Sequence, residues 1–289
     1  MSIWTDLMGV PFTQRYINAG GIKTRVVEAG EGPVLVFLHG TGGHAEAYVR
    51  NIAAHAKHFH VYAIDMIGHG YSDYPDIDYG VDTFVKHVSD LIDAVGGKVH
   101  LSGESLGAIV ASRVAMKYPH KIDRLVLNTG LPIVPSEAGR QELLQGLVIS
   151  RQAAGELTRD VVKTRLGFLM HEPEKMVTEE LIDVRFNIYN QPGMLPIMGR
   201  IAQAVLGTIT DLESANGIFE PNQLKQIKSP TLIIWTRYNP GQHMDVAEKG
   251  MELIPDVQLH VMENSAHWPQ WEEVGEFDRA HIKFLLAEG

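Results

Sequence analysis

The chain contains no cysteine, so neither a disulfide framework nor thiolate chemistry is available to it. It lacks any apolar run of about twenty residues, the length a membrane helix needs. The opening Met1-Ser-Ile-Trp-Thr-Asp-Leu has no basic stretch followed by an apolar one, so a cytoplasmic protein with no membrane partner is expected. Basic residues are scarce: 25 Lys and Arg stand against 35 Asp and Glu, a net charge of −10. Such a balance argues against nucleic acid as a partner, because nothing would neutralise phosphates. There is no internal repeat, no low-complexity tract and no run of like charge. Neither a metal-ligand cluster nor a dinucleotide fingerprint occurs, so no cofactor is expected.

What is present begins with alternation. Pro33-Val-Leu-Val-Phe-Leu-His and His60-Val-Tyr-Ala-Ile-Asp are continuous apolar runs, the pattern of strands buried on both faces of a sheet. Helical stretches are expected from about Ala45 to His58 and from Asp82 to Val95. Lys23 to Gly30, the run up to Ser105 and Arg124 to Asn128 read as further strands. This predicts an α/β fold with a mostly parallel, doubly wound sheet. Four helical segments then follow without a buried strand: Gln141 to Ala154, Arg159 to Met170, Thr178 to Asn190 and Pro196 to Val205. The alternation resumes at Pro230-Thr-Leu-Ile-Ile-Trp and ends with a helix from Val274 to Ala287. The expected organisation is therefore a core over 1–131, an inserted helical cap over 132–222, and the rest of the core over 223–289.

The chemistry-bearing signal is Gly103-Glu-Ser-Leu-Gly, between the strand Lys98-Val-His-Leu-Ser and a helix that begins at Ala108. A Gly-x-Ser-x-Gly at a strand-to-helix turn is a nucleophile elbow: it exposes the serine hydroxyl above the sheet and aims the helix N-terminus at its target. Ser105 is thus the candidate nucleophile. Its hydroxyl needs a base, and the base needs an orienting group. His267, in the loop before the last helix, holds the place of the base in an α/β-hydrolase triad. His69, in Gly68-His-Gly, and His39 read as structural. For a developing oxyanion, Leu106 supplies one N–H, and Thr41 or Gly42 in His39-Gly-Thr-Gly-Gly a second.

The acid should follow the strand Thr231-Leu-Ile-Ile-Trp, but Asn239 stands there. Three readings stay open: Asn239 as a neutral orienting group in a slower enzyme or as a natural or engineered loss of activity, Asp245 reaching back along the same loop, or Glu104 or Glu263 substituting from elsewhere. An amide holds an imidazole but brings no charge to imidazolium.

Four stretches resemble the meta-cleavage-product hydrolases, α/β-hydrolases that cut a C–C bond in ring-opened aromatics. They are Tyr16-Ile-Asn-Ala-Gly-Gly, Leu38-His-Gly-Thr-Gly-Gly, Ala63-Ile-Asp-Met-Ile-Gly-His-Gly and Ala266-His-Trp-Pro-Gln-Trp-Glu. The last is close to the family's Gly-His-Trp-Ala-Gln-Trp-Glu. The resemblance covers most of the chain and is thinnest in the cap. It implies the α/β-hydrolase fold, His267 as base, Trp268 as a pocket wall and a dimer or higher assembly. Thr178-Glu-Glu-Leu-Ile-Asp-Val-Arg matches the cap segment whose arginine binds the substrate carboxylate, which points to Arg185. Two departures stand out. The family has Asn before the nucleophile, holding the substrate's polar end, where this chain has Glu104. The family's acid aligns with Asn239. The implied substrate is a small molecule, with C–C hydrolysis ahead of an ester, lactone or amide, and a ligand-binding protein without hydrolysis as the third reading.

Overall fold

The structure, a computed structural model, describes residues 2–210 and 218–287. Eight strands form one sheet: β1 (Phe12–Ala19), β2 (Ile22–Ala29), β3 (Val34–Leu38), β4 (His60–Ile64), β5 (Val99–Glu104), β6 (Ile122–Asn128), β7 (Thr231–Thr236) and β8 (Val257–Met262). Their order is β1-β2-β4-β3-β5-β6-β7-β8. The pairs β1/β2 and β2/β4 are antiparallel and all others parallel. Every residue of β5 and β7 is buried, although β5 carries His100, Ser102 and Glu104.

β1 has no counterpart in the sequence reading. Its first five residues are exposed, so the outward polar side chains hide the strand pattern. Register explains why it forms. Ala19 pairs with Ile22 across Gly20 and Gly21, both at positive φ (61° and 96°), which makes a tight two-residue hairpin.

Helices cover both faces. One face packs against α1 (Val49–His55) and the C-terminal helix, Val274–Leu285; the other packs against α2 (Val81–Val95), α3 (Leu106–Lys117) and the helix Met244–Leu253. Alternate residues of a strand separate cleanly. Val36 and Leu38 join Phe84 and Val110 on one side, whereas Leu35 and Phe37 join Ile52 and Phe277 on the other. The segment expected as one helix from Ala45 to His58 is a 3₁₀ turn (Ala45–Tyr48) followed by the shorter α1.

Between β6 and β7 the described residues are helical: α4 (Glu137–Gly155), α5 (Arg159–Phe168), α6 (Pro173–Met176), α7 (Glu179–Tyr189) and α8 (Met194–Val205). Residues 211–217 of the expected cap lie outside the described residues. Hydroxyl caps start three of these helices. Ser136 accepts from Gly139 N, Thr158 from Val161 N and Thr178 from Leu181 N. After β7 come α9 (Met244–Leu253), α10 (Pro269–Glu272) and α11 (Val274–Leu285). None of the described helices is long and apolar enough to cross a membrane.

Candidate active site

Ser105 caps α3 at the end of β5 with φ 55° and ψ −118°. Ser105 and Thr129 are the two non-glycine residues with positive φ among those described. Strain of this kind persists only where the surroundings enforce it. Here they are glycines. A Cβ on Gly103 would collide with the Gly107 carbonyl, and one on Gly107 with the Leu38 carbonyl. A Cβ on Gly40 would lie 2.8 Å from Ser105 Cβ. The Ser105 N–H donates to Asn128 O at 2.9 Å, tying the turn to β6.

Ser105 and His267 line one cavity. The backbone of His267 is held on both sides: its N–H donates to Leu169 O, and its carbonyl accepts from Thr129 Oγ1, each at 2.9 Å. Nδ1 lies 2.6 Å from Asn239 Oδ1. Asn239 is buried, and its Nδ2 donates to Gln242 O at 2.7 Å. That donation fixes which end of the amide faces the ring. Oδ1 can only accept, so Nδ1 carries the proton and Nε2 is a free lone pair. Burial, with Arg165 nearby, lowers the His267 pKa to about 4, so the ring is neutral at rest. Asp245 is exposed in the first turn of α9, and exposed Glu263 is paired with Arg237 at 2.7 Å.

Leu106 N begins α3, where no preceding carbonyl is available to it. Thr41 lines the cavity, and its carbonyl accepts from Arg165 Nη2 at 2.8 Å. Gly42 stands at φ 69° under the helices of the insertion, with its carbonyl bound by Tyr189 Oη at 2.8 Å. His39 shapes this loop from below. Its Nδ1 meets Gly40 O at 2.8 Å and its Nε2 accepts from Met66 N at 3.0 Å. His69 is buried, with Nδ1 at 3.1 Å from Ile67 O.

Glu104 lines the cavity and is 1% exposed. Its Oε2 accepts from Gly40 N at 2.7 Å, and its Oε1 lies 3.3 Å from His267 Nε2. Burial pushes this carboxyl up to about 8, against the pull of the Gly40 N–H, Arg185, Trp268 and Arg165. Arg185 sits in the apolar stripe of α7, Leu181, Ile182, Arg185, Ile188 and Tyr189, and is therefore turned inward. It is 0% exposed, with its guanidinium carbon 5.1 Å from the centre of a Trp268 ring. None of its Nε, Nη1 and Nη2 atoms has a hydrogen-bond partner among the described residues, and burial lowers its pKa.

One residue of the site carries no signal in the sequence. Arg165 on α5 lines the cavity, bonds Ser150 Oγ and Thr41 O, and so ties the insertion to the loop after β3. An arginine in the middle of a polar helix looks solvated until the fold turns it inward.

The cavity encloses about 1000 Å³, its mouth included. Its lining includes the polar Ser105, Glu104, His267 and Arg165 and the apolar Ile109, Leu143, Ile149, Phe168, Ile218 and Phe219. Among the described residues no three His, Asp or Glu side chains are grouped to hold a metal ion.

A strained serine at a strand-to-helix turn, a late histidine and a helical insertion over the strand ends define an α/β-hydrolase, and the α/β-hydrolase fold family matches residues 33–274. Comparison with known proteins narrows this. A 2-hydroxy-6-oxononadienedioate/2-hydroxy-6-oxononatrienedioate hydrolase of Burkholderia vietnamiensis is 30% identical, over 94% of this chain and 96% of its own. A 2-hydroxy-6-oxo-6-(2'-aminophenyl)hexa-2,4-dienoic acid hydrolase of Metapseudomonas resinovorans is 27% identical over 95% and 91%. A solved meta-cleavage product hydrolase from Pseudomonas fluorescens IP01 superposes with a TM-score of 0.79 at 26% identity, covering 96% of this chain and 98% of the other. The chain belongs to the α/β-hydrolase family, among the meta-cleavage-product hydrolases.

Proposed function

We propose that this protein hydrolyses the C5–C6 bond of a 2-hydroxy-6-oxo-dienoate, with Ser105 as nucleophile, His267 as base and Asn239 as the group that orients it. The observation that carries this reading is Arg185. A wholly buried guanidinium with three unpaired nitrogens is costly unless an anion meets it; Arg185 does not itself line the cavity but adjoins it through Trp268, which does, and the dienoate carboxylate is an anion that would meet it there. The relatives named above act on dienoates that carry this carboxylate. Trp268 forms the wall against which Arg185 is held, and the apolar part of the lining suits the substituent on C6. The described helices α4, α5 and α8, which line this space, act as its cap.

The proton balance follows from the site. A proton on C5 converts the dienol to its keto form and leaves C6 an isolated ketone. Ser105 Oγ attacks C6 while its proton passes to His267 Nε2. The N–H groups of Leu106 and Thr41 hold the oxyanion; Gly42, packed under Tyr189, serves the loop's shape instead. Collapse breaks C5–C6, and the electron pair enters the conjugated oxo acid as its dienolate, which takes the proton back from His267 Nε2 and leaves that nitrogen free. Water, deprotonated by Nε2, then frees the second acid from Ser105. At neutral pH the Glu104 carboxyl is protonated, so it binds beside the substrate without repelling its charge.

Glu104 also favours a second reading, hydrolysis of a neutral aromatic ester, since an uncharged substrate has nothing to fear from an ionised Glu104. One assay separates the two. Purified protein is given 2-hydroxy-6-oxo-6-phenylhexa-2,4-dienoate or a p-nitrophenyl ester. Loss of the dienolate absorbance with stoichiometric benzoate, absent in Ser105→Ala, is the expected result. An unchanged dienoate spectrum with rapid ester turnover overturns it in favour of the esterase.

A further inference from the structure

The site holds its carboxyl group on the unexpected side of the histidine. In a serine triad the acid meets Nδ1, where it both fixes the tautomer and stabilises the imidazolium. Here Nδ1 meets the neutral amide of Asn239 at 2.6 Å. The opposite nitrogen, Nε2, is 3.3 Å from Glu104 Oε1. Oε1 is buried and has no hydrogen-bond partner among the described residues, while Oε2 is pinned by the Gly40 N–H at 2.7 Å. Glu104 also precedes the nucleophile directly, so its backbone is fixed by the same elbow. Among the residues lining the cavity it is the one acidic side chain described. We infer that Glu104 is the charge partner of His267: from the Nε2 side it stabilises the imidazolium that forms when Ser105 gives up its proton. The two tasks of the triad acid are thus divided, orientation to Asn239 and charge to Glu104.

Proton counting sets the consequence. With Glu104 ionised, transfer of the Ser105 proton to Nε2 turns a carboxylate and a neutral imidazole into an ion pair, and the pair's net charge rises from −1 to 0. With Glu104 protonated, the same transfer leaves an uncompensated cation in a site that already holds Arg165 and Arg185. The competent form is the ionised one. The groups facing Glu104 are His267, Arg185, Arg165, the Gly40 N–H and Trp268, with buried Tyr48 close enough for its phenol to feel the carboxylate. Burial outweighs the arginines and keeps the carboxyl at about 8. Activation of Ser105 therefore rises as pH climbs through that value. The inference rests on Ser105 and His267 as nucleophile and base; it holds for a neutral ester unchanged, whereas a dienoate, whose binding favours protonated Glu104, gains activation and loses affinity as pH climbs.

The test measures covalent labelling of Ser105 by a fluorophosphonate, read by mass spectrometry from pH 6 to 9.5. It compares the wild type with Glu104→Gln, Asn239→Asp and the double variant. Gln retains the acceptor for the Gly40 N–H and turns an NH₂ towards Nε2 where protonated Glu104 presents an O–H, so it mimics the uncharged carboxyl at every pH. Glu104→Gln is expected to label about 100-fold more slowly at pH 9 and to lose the rise near pH 8, the scale of a lost acid–base contribution. Asn239→Asp in that background returns a carboxylate to Nδ1 and is expected to restore labelling to within about 10-fold of wild type. In the wild-type background the same change gains far less. The inference is overturned if Glu104→Gln labels within threefold of wild type at all pH values. It is equally overturned if the double variant is no faster than Glu104→Gln, which marks a packing role. A wild type that labels normally yet leaves dienoates untouched refutes C–C hydrolysis alone. A wild type that never labels at Ser105 removes the pair, and the inference with it.

Discussion

His267 Nδ1 and Asn239 Oδ1 are 2.6 Å apart, and the other end of the Asn239 amide is committed to the Gln242 carbonyl at 2.7 Å. The second bond makes the first informative. It leaves the amide oxygen, and not its NH₂, facing the imidazole, so the ring must donate from Nδ1. A residue that lacks a carboxylate's charge still selects the tautomer that a base requires.

Asn239→Ala should therefore disturb the tautomer before it disturbs binding. We expect kcat to fall by about 100-fold, with KM changed by less than about threefold, since orientation of the base matters chiefly in the transition state. Long-range ¹H–¹⁵N NMR of the imidazole checks the cause. The wild type should show protonated Nδ1, and the variant a mixture. An unmixed Nδ1–H tautomer in Asn239→Ala would contradict the assignment.

Arg185 should cost stability. Its guanidinium is fully buried without a hydrogen bond among the described residues, and an apolar side chain of similar length avoids that desolvation. Arg185→Met is expected to stabilise the fold by about 1–3 kcal/mol in urea denaturation, as removal of unpaired buried charge does. A loss of stability would mean that the guanidinium is already satisfied.

The elbow glycines should divide by what their added methyl meets. Gly103→Ala drives Cβ into the backbone carbonyl of Gly107, which cannot move without unwinding α3. We expect a loss of more than about 3 kcal/mol or no folded protein, by the same measurement. Gly40→Ala meets the Glu104 carboxylate at 2.7 Å and Ser105 Cβ at 2.8 Å, so activity should suffer more than the fold.

Stability should peak near pH 6.5. Burial lowers His55, His69, His87 and His267 to about 4. A depressed histidine favours the fold above its unfolded value of about 6.5, and that contribution is lost as pH falls towards 4. Glu104, at about 8, and Glu272 and Asp278, at about 7, are raised by burial and act in the opposite sense. Their contribution is full below the unfolded carboxylate values and is lost as pH rises through 7 to 8. His39 and His281 are lowered further still, so histidines outnumber raised acids on the acid side. Thermal midpoints from pH 4 to 9 should trace a dome. A midpoint that keeps rising to pH 9 would contradict this balance.

Much of the fold is legible because parallel strands buried on both faces are largely apolar, as β3 and the centre of β7 are, whereas β5, with His100, Ser102 and Glu104, is read from the elbow that follows it. The elbow is legible because its glycines are demanded by backbone contact. β1 is hidden because an edge strand with five exposed residues has no apolar alternation to read. Arg185 was legible only through resemblance, and Arg165 not at all, since a charge on a helix reads as solvated until tertiary packing turns it inward. The position of Asn239 was readable from its place after β7. That Glu104 reaches Nε2 was not, because their proximity joins residues 104 and 267 through the sheet's topology.

The most direct measurement compares kcat/KM for a 2-hydroxy-6-oxo-dienoate with that for a neutral p-nitrophenyl ester, in the wild type and in Arg185→Met. If Arg185 receives the substrate carboxylate beside Ser105, the dienoate-to-ester ratio falls by about 100-fold or more in the variant, the scale of a lost buried ion pair, while ester turnover persists. An unchanged ratio would contradict the account, because the carboxylate would then be bound elsewhere or not at all.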